Sequence, residues 1–162
     1  MVGKITTLST YATSISCLPA VGKQATDLMA VSCMDGTFKF MTRSGREEKS
    51  VKAHDGAVIV VRWSHDGTAF VTGGEDGDVK IWSRTGNLRS TLVSTGQSIY
   101  SVCWGPDDNH VVIASGKSLI IKSVQAGGSH APSWKNLQWD AHNGMVLCVD
   151  WNVANKLIVS GG

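Results

Sequence analysis

Short apolar segments separated by polar, glycine-containing turns recur along the chain. The clearest group consists of four segments, at 58–63, 69–72, 79–82 and 88–92. Only Arg62 interrupts the first segment, and the last two alternate apolar and polar positions. The turns between them lie at 64–67, 74–77 and 85–87. Segments of this length, joined by tight turns, predict a four-stranded antiparallel sheet.

The same pattern, less regular, predicts strands on both sides of this group. The expected strands are 14–18, 28–32, 37–41, 47–51, 100–104, 111–114, 119–122 and 137–139, with two more after His142. The connection at 19–27 is long for a hairpin and predicts a surface excursion. A loop insertion at 125–136, which contains Gly, Ser and Pro residues, predicts a flexible segment.

Internal repetition gives the segments a common period. His54 and His142 are 88 residues apart, each begins a similar segment ending in Gly-Gly, and Trp63 and Trp151 have the same separation. Trp104 lies 41 residues after Trp63 and 47 before Trp151. A period in the forties with four strands per unit is typical of β-propellers of the WD-repeat kind.

The predicted fold is therefore an all-β, incomplete WD-repeat propeller of about three and a half blades of four antiparallel strands. Its expected units are a degenerate blade at 1–53, a well-formed blade at 54–94, a degenerate blade at 95–141 and the start of another at 142–162. Because the last unit stops where the well-formed one continues into a third strand, we expect the chain to be a fragment of a longer product.

Composition argues against several classes of function. The formal net charge is only +2, and the basic residues are scattered, which disfavours nucleic acid as a partner. No apolar run approaches the length of a membrane span, so direct membrane insertion is not expected. The first twenty residues lack the pattern of a secretory signal.

The cysteines give no sign of a metal site. None of the four forms a Cys-x-x-Cys pair, and three lie in apolar strand patterns; they are Cys17, Cys33, Cys103 and Cys148. We expect buried, reduced thiols and no zinc site, and we predict no cofactor and no small-molecule substrate.

Four polar or aromatic residues in the well-formed unit have the spacing of a structural hydrogen-bond network. These are His54, Thr72, Asp76 and Trp82. Catalysis by a hydroxyl, a histidine and an aspartate requires an exposed nucleophile in a cleft, whereas buried polar groups that satisfy one another rigidify a blade. We therefore predict a structural role. Asp76→Ala should cost about 1–3 kcal/mol, and Asp108→Ala, in a predicted exposed turn, should cost much less.

The other units keep only part of this set. In the first unit Asp35 retains the turn aspartate. In the third, Thr95 replaces the histidine and Lys117 falls near the aspartate position. The last unit supplies His142 and Ser160, so a partial network is expected there.

Residues 116–118, Gly-Lys-Ser, imitate the end of a phosphate-binding loop. The first glycine that such a loop requires is replaced by Val111, and the following residues, 119–121, predict a strand. Without a helix N-terminus to face a phosphate, nucleotide binding is not expected.

The tryptophans divide into two groups. Trp63, Trp104 and Trp151 end the first strand of three units and are predicted to pack in the core. Trp139 is assigned to an outer strand. Trp134, within the insertion, is the candidate for an exposed partner contact.

Several longer strings point to one family. They are SGREEKSVKAHDGAV, RWSHDGTAFVTGGEDGDVKIWSRTGNLRSTL, YSVCWGPDD, SGKSLIIKSVQ and LQWDAHNGMVLCVDWN. Together they resemble the eighty-kilodalton WD-repeat subunits of intraflagellar transport complex B, over about residues 27–162. The string SGKSLIIK and the Trp-Ser-Arg-Thr-Gly turn are not demanded by a propeller fold, which makes the resemblance specific.

The resemblance implies a non-enzymatic scaffold that supports cilium assembly through protein–protein contacts. In that family two propellers precede a helical tail, and this chain would correspond to part of the first propeller. The implied partners are other complex B subunits, and the implied location is the cilium or flagellum, including the basal body, and the cytoplasm. The alternative is a generic WD-repeat adaptor in a vesicle coat or a ubiquitin ligase. The contrasting class is an enzyme with an active site on the propeller. It is not expected, because the sequence shows no convergent cluster of titratable residues.

Overall fold

The computed structural model describes residues 7–20, 27–124 and 137–162. Throughout these ranges the regular structure consists of strands, and it contains no helix. The strands form three four-stranded antiparallel sheets and one two-stranded sheet. This is the architecture of part of a β-propeller, which confirms the predicted fold class.

Within each sheet the strands follow chain order, so each sheet is an up-and-down meander. Blade 1 consists of β1 (Ala12–Cys17), β2 (Leu28–Cys33), β3 (Thr37–Thr42) and β4 (Glu47–Lys52). Blade 2 consists of β5 (Val58–Trp63), β6 (Ala69–Gly74), β7 (Asp78–Ser83) and β8 (Leu88–Ser94).

The second half of the chain repeats this order. Blade 3 consists of β9 (Ile99–Trp104), β10 (His110–Ser115), β11 (Ser118–Ser123) and β12 (Leu137–Asp140). The fourth unit consists of β13 (Cys148–Trp151) and β14 (Ile158–Gly161). Every strand expected from the sequence overlaps one of these.

The first strands of successive units, β1, β5, β9 and β13, lie side by side. Serine hydroxyls form direct hydrogen bonds within two of these neighbouring pairs, β1 with β5 and β9 with β13. The Ser16 hydroxyl accepts the backbone N–H of Trp63 at 3.1 Å, and the Ser101 hydroxyl accepts that of Val149 at 3.2 Å. These bonds join sheets that share no strand-to-strand ladder.

The junctions between units are apolar, but their chemistry differs. Blades 1 and 2 meet through rings, with Phe38 and Phe40 of β3 against Trp63, Phe70 and Trp82. Blades 2 and 3 meet through an aliphatic cluster whose members include Val71, Ile81, Ile99, Val102, Val111 and Ile113. A smaller cluster joins blade 3 to the fourth unit, and it includes Cys103, Val112, Leu119, Val146 and Val149.

The cysteine expectation is correct for two of four residues. Cys33 and Cys103 are buried, whereas Cys17 and Cys148 are exposed, and none of the four is in a disulfide. The exposed pair lies on the first and last units, where one face of the sheet has no neighbouring blade among the described residues. The prediction failed there because it assumed that both faces of every sheet are covered.

Candidate functional site

The structure brings His54, Thr72, Asp76 and Trp82 into one connected hydrogen-bond chain. His54 Nδ1 lies 2.9 Å from Asp76 Oδ1, and His54 Nε2 lies 2.7 Å from Thr72 Oγ1. Trp82 donates its Nε1–H to the same Thr72 oxygen at 2.9 Å. With Nδ1–H donating to the carboxylate, Nε2 is free to accept the Thr72 hydroxyl, and every polar atom in the chain is satisfied.

Burial and hydrogen bonding fix the charge states of this network. Burial lowers the pKa of His54, with the hydrogen bond to Asp76 opposing it, so the ring is neutral at pH 7. Burial acts to raise the pKa of Asp76, but hydrogen bonds from the Asp78 amide, the His54 ring and the Asp55 amide outweigh it and leave that pKa below its ordinary value. Asp76 is therefore an ionised acceptor for three donors.

The arrangement leaves no nucleophile within reach of a substrate. Thr72 is completely buried and His54 nearly so. Acyl or phosphoryl transfer by a hydroxyl requires that the hydroxyl meet the substrate, and this one is enclosed between β5 and β7. The network can hold the segment before β5, the strands β6 and β7, and the turn after β6 in one geometry.

Gly74, the last residue of β6, is required by the network. A Cβ at this position would lie 2.3 Å from His54 Nδ1 and 2.4 Å from Asp76 Oδ1. The second glycine of the Gly-Gly that ends the repeat pattern is therefore a packing requirement of the histidine and the aspartate. The sequence pattern alone marks Gly74 as the end of the repeated segment and the start of the turn at 74–77.

Blade 3 shows the reciprocal change. Thr95 takes the place of the histidine, and Ser115 occupies the position that corresponds to Gly74. Because the threonine side chain is smaller than that of histidine, there is room for the serine side chain. The Ser115 hydroxyl donates to Thr95 Oγ1 at 3.0 Å. The blade thus keeps a shortened version of the contact with two substitutions that compensate each other.

The remaining units hold the partial networks already expected from their residues. In the fourth unit His142 Nε2 lies 2.9 Å from Ser160 Oγ. In blade 1 Asp35 Oδ1 accepts the Thr37 amide at 3.0 Å, and the side-chain hydrogen bond from Thr37 holds the pKa of Asp35 below its ordinary value. This second contact stabilises only the local turn.

Gly116 and Lys117 form the tight turn between β10 and β11, and Ser118 is the first residue of β11. Val111 lies within β10. Lys117 Nζ is 2.7 Å from Asp140 Oδ2, and both side chains are more than half exposed. A lysine paired with a carboxylate at a β-turn, with no helix N-terminus beside it, does not make a phosphate site.

Asp108 is not the isolated surface residue that the sequence predicted. Its Oδ1 accepts the His65 amide at 2.9 Å, and its Oδ2 accepts the Asp66 amide at 3.0 Å. His65 Nδ1 lies 2.7 Å from Oδ1, and the Asp108 side chain is only 19% exposed. The expectation of an exposed turn was wrong because the turn after β9 packs against the turn after β5, a contact between residues 42–43 positions apart in the sequence.

The tryptophans that end the first strands are packed against apolar neighbours, but their indole nitrogens differ. Trp104 donates Nε1–H to the Arg62 carbonyl oxygen at 3.0 Å, and Trp151 donates to that of Lys156 at 3.2 Å. Trp63 Nε1 is buried, and it has no partner among the residues described. Trp139 lies on β12 as expected, whereas Trp134 falls outside the described residues.

The described residues hold no cluster of three or more His, Cys, Asp or Glu side chains that could bind a metal ion. Burial, followed by the charge of Asp150, raises the pKa of the Cys103 thiol to about 12, so this thiol stays protonated at neutral pH. No helix within the described ranges is long and apolar enough to cross a membrane.

Comparison with curated proteins places these features in context. The chain is 56% identical over 128 residues to the intraflagellar transport protein 80 homolog of Mus musculus; the match covers 79% of this chain and 16% of that protein. It is 31% identical over 152 residues to the SIR4-interacting protein SIF2 of Saccharomyces cerevisiae, covering 86% of this chain and 27% of SIF2. It is 33% identical over 95 residues to the F-box-like/WD repeat-containing protein TBL1X of Mus musculus, covering 58% of this chain and 17% of TBL1X.

The chain thus spans about a sixth of the length of the first of these relatives. The family model described as "WD domain, G-beta repeat" matches residues 45–83, 86–121 and 135–162. These matches cover more than half of the chain and overlap all four sheets. The chain therefore belongs to the WD domain, G-beta repeat family.

Proposed function

We propose that this chain is a non-enzymatic scaffold segment of the intraflagellar transport particle, acting within complex B in cilium assembly. The observation that carries the proposal is the 56% identity over 128 residues to an intraflagellar transport protein 80 homolog. SIF2 and TBL1X share only 31% and 33% identity with the chain, the level expected when a common repeat fold accounts for the similarity.

The proposed mechanism is the presentation of rigid blade edges and turns to neighbouring subunits. Under this proposal the four units are 1–53, 54–94, 95–141 and 142–162. The network of His54, Thr72, Asp76 and Trp82 holds the best-formed unit in shape, and His142 with Ser160 does so in the last. The buried hydroxyl of Thr72 and the neutral ring of His54 support this structural role.

The proposed partners are other complex B subunits, and the proposed locations are the cilium or flagellum, the basal body and the cytoplasm. Trp134 is kept as a candidate partner contact on the strength of its sequence position alone. No cofactor, nucleic acid or small-molecule substrate is part of the proposal.

The test is an N-terminal epitope tag at the endogenous locus, followed by purification from ciliated cells and mass spectrometry. Co-purification with several complex B subunits is the expected result. Recovery with a different intact assembly would transfer the chain to the runner-up, a WD-repeat adaptor of a vesicle coat or a ubiquitin ligase. Recovery alone or only with chaperones would contradict both.

Two glycine variants show whether co-purification depends on the folded blade. Gly74→Ala brings a methyl group within 2.4 Å of the His54 ring and the Asp76 carboxylate, so it should abolish recovery of the partners. A Cβ at Gly144 would meet no atom of the described residues within 4 Å, so Gly144→Ala should leave recovery unchanged. If both variants retain every partner, the contacts do not require the propeller architecture.

A further inference from the structure

The outer strand of blade 2, β8, lacks the features that protect the outer strands of blades 1 and 3. Each of these three strands is the edge of its sheet and pairs on one side only among the described residues. The sequence of β4, EEKSVK, is mostly charged, and β12 has only four residues. Charge and short length are common means of preventing an edge from pairing with another chain. β8 has seven residues, LRSTLVS, and its first four are exposed.

The exposure of β8 follows from its outer position, because blade 2 packs against a described blade on each face. Leu88 lies opposite Trp82 on the face turned to blade 1, and it is 52% exposed. The ladder with β7 contains one extra β8 residue at Arg89 and another at Leu92. Such bulges interrupt regular pairing and re-aim side chains. Recognition at this edge therefore depends on side chains rather than on a continuous ladder.

Three cationic side chains, Lys49, Arg84 and Arg89, lie around the turn that leads into β8, and we call them the cationic turn. Lys49 Nζ, from β4, donates to the Thr85 carbonyl oxygen at 2.8 Å. The Thr68 carbonyl oxygen accepts both the Arg84 amide and Arg89 Nη2–H, each at 3.1 Å. None of the three forms an ion pair with a carboxylate in the part of the chain that the structure describes. Four other basic residues do, and they are Lys39, Arg46, Lys80 and Lys117.

Packing on blade 1 fixes the position of this turn. Gly86 has a φ of +79°, and a Cβ there would lie 3.1 Å from Phe40 Cε2 and 3.4 Å from Lys49 Nζ. Phe40 belongs to the aromatic junction between blades 1 and 2. Cations held on a packed turn need little further ordering when they bind an anion, which favours binding.

We propose that the cationic turn and Leu88 bind an acidic, extended segment of a partner protein along β8. Because the cations contact carbonyls of two different turns, their charges are spread out, which suits a row of carboxylates better than a single phosphate. An apolar residue of the segment covers Leu88. The Asn87 carbonyl oxygen accepts the Ser83 amide within the hairpin, so the backbone groups of Leu88 point outward and can bond to the segment. This surface belongs to blade 2, whichever assembly contains the chain.

The probe is a fluorescein-labelled heptapeptide, Glu-Leu-Glu-Val-Glu-Leu-Glu, and its control has glutamine in place of every glutamate. Fluorescence anisotropy with the full 162-residue chain measures binding. We expect saturable binding of the acidic peptide and at least about tenfold weaker binding of the glutamine peptide, because the charge pairs are lost. Raising the ionic strength from about 0.01 M to about 0.15 M should weaken binding of the acidic peptide much more than that of the control.

Arg84→Gln and Arg43→Gln form a matched pair of variants. Both arginines are exposed, and each directly follows the third strand of its blade. Arg84→Gln should weaken binding of the acidic peptide about threefold, whereas Arg43→Gln, which removes the same charge from the turn of blade 1, should not change it. Leu88→Ser should also weaken binding about threefold. Equal losses for the two arginine variants would overturn the assigned site. The glutamine peptide leaves the protein unchanged, so its result does not depend on the folding of any variant.

Amide hydrogen exchange locates the bound peptide. Exchange at Leu88 should slow on binding, because this amide points to the free edge. Failure of the acidic peptide to bind, equal binding of the glutamine peptide, or protection only elsewhere in the chain would overturn the proposal. Tighter binding of a DNA oligonucleotide or of phosphatidylserine vesicles would also overturn it, since the surface would then select polyanions other than an acidic protein segment. These outcomes are independent of co-purification with complex B subunits.

Discussion

His54 is a buried imidazole with a partner at each nitrogen, and this arrangement accounts for several neighbouring residues. Its contact with Asp76 requires Gly74, because any Cβ there would meet both side chains. In blade 3 Thr95 replaces the histidine and Ser115 replaces the glycine, and the Ser115 hydroxyl donates to Thr95 Oγ1. Residue types and spacing were enough to predict the members of the network. The glycine–serine exchange could not be predicted, because it depends on which atoms face one another across two strands.

Asp76→Ala should lower the free energy of unfolding by about 2 kcal/mol, because the His54 ring and the Asp55 and Asp78 amides lose a charged acceptor. Urea titration followed by circular dichroism measures the change. Asp55→Ala is the matched control, since the exposed Asp55 carboxylate has no hydrogen-bond partner among the described residues, and it should cost less than about 0.5 kcal/mol. Equal losses for the two variants would contradict the structural role of Asp76.

At the scale of the element, blade 2 depends on a histidine that is neutral when folded. The folded pKa of His54 lies below its ordinary value, mainly because of burial. Between the two values the unfolded chain binds a proton that the folded chain does not, so stability falls as the pH drops through the ordinary histidine pKa of about 6.5. The depressed pKa of Asp76 acts in the same direction, but only in more acidic solution.

Urea midpoints measured between pH 8 and pH 5 should therefore be flat at the alkaline end and decline below about pH 6.5. Circular dichroism is the appropriate signal, because the chain has six tryptophans and their fluorescence does not report on Trp82 alone. His54→Gln should be less stable at pH 8 and should show a smaller decline. A decline of the same size in that variant would assign the effect to other groups.

The strands themselves could be predicted from the sequence, whereas contacts between blades could not. Apolar runs and glycine turns are local signals, and they located each strand. The Asp108 carboxylate, in contrast, caps two amides of a turn that is 42–43 residues earlier in the chain. Likewise, the exposure of Cys17 and Cys148 depends on which sheet faces have a neighbour. Packing of one blade against the next decides both, and it leaves no local pattern.

Asp108 should consequently matter for stability, contrary to what its position in the sequence indicates. It has a positive φ of 53° and accepts the amides of His65 and Asp66. Asp108→Ala should cost about 1–3 kcal/mol, because it loses both acceptors and places alanine in a left-handed conformation. Asp108→Asn tolerates this conformation and keeps one carbonyl acceptor, so its loss in urea titration should be smaller. Equal losses for both variants would contradict the capping role.

Across the whole molecule, stability is expected to be uneven, because a repeat array is stabilised by each unit and by its contacts with neighbours. Blade 2 has a packed neighbour on both faces, an aromatic cluster on one side and an aliphatic cluster on the other. All six residues of β6 are buried. The fourth unit packs on blade 3 through one face, while Leu157 and Val159 on its other face are 65% and 66% exposed.

Native-state hydrogen exchange should follow this difference. Amides of β6 should exchange most slowly, and those of β13 and β14 should exchange at least about tenfold faster, because the fourth unit can open without exposing the clusters of blade 2. Phe70→Ala removes a ring that contacts four others. It should lower the free energy of unfolding by about 3–5 kcal/mol and strongly accelerate hydrogen exchange of the β6 amides. Its effect on exchange of the β14 amides should be smaller, since these amides already exchange through local opening of the fourth unit, which costs less free energy than opening blade 2. Uniform protection across the chain, or equal acceleration of both strands, would show instead that the units unfold as one.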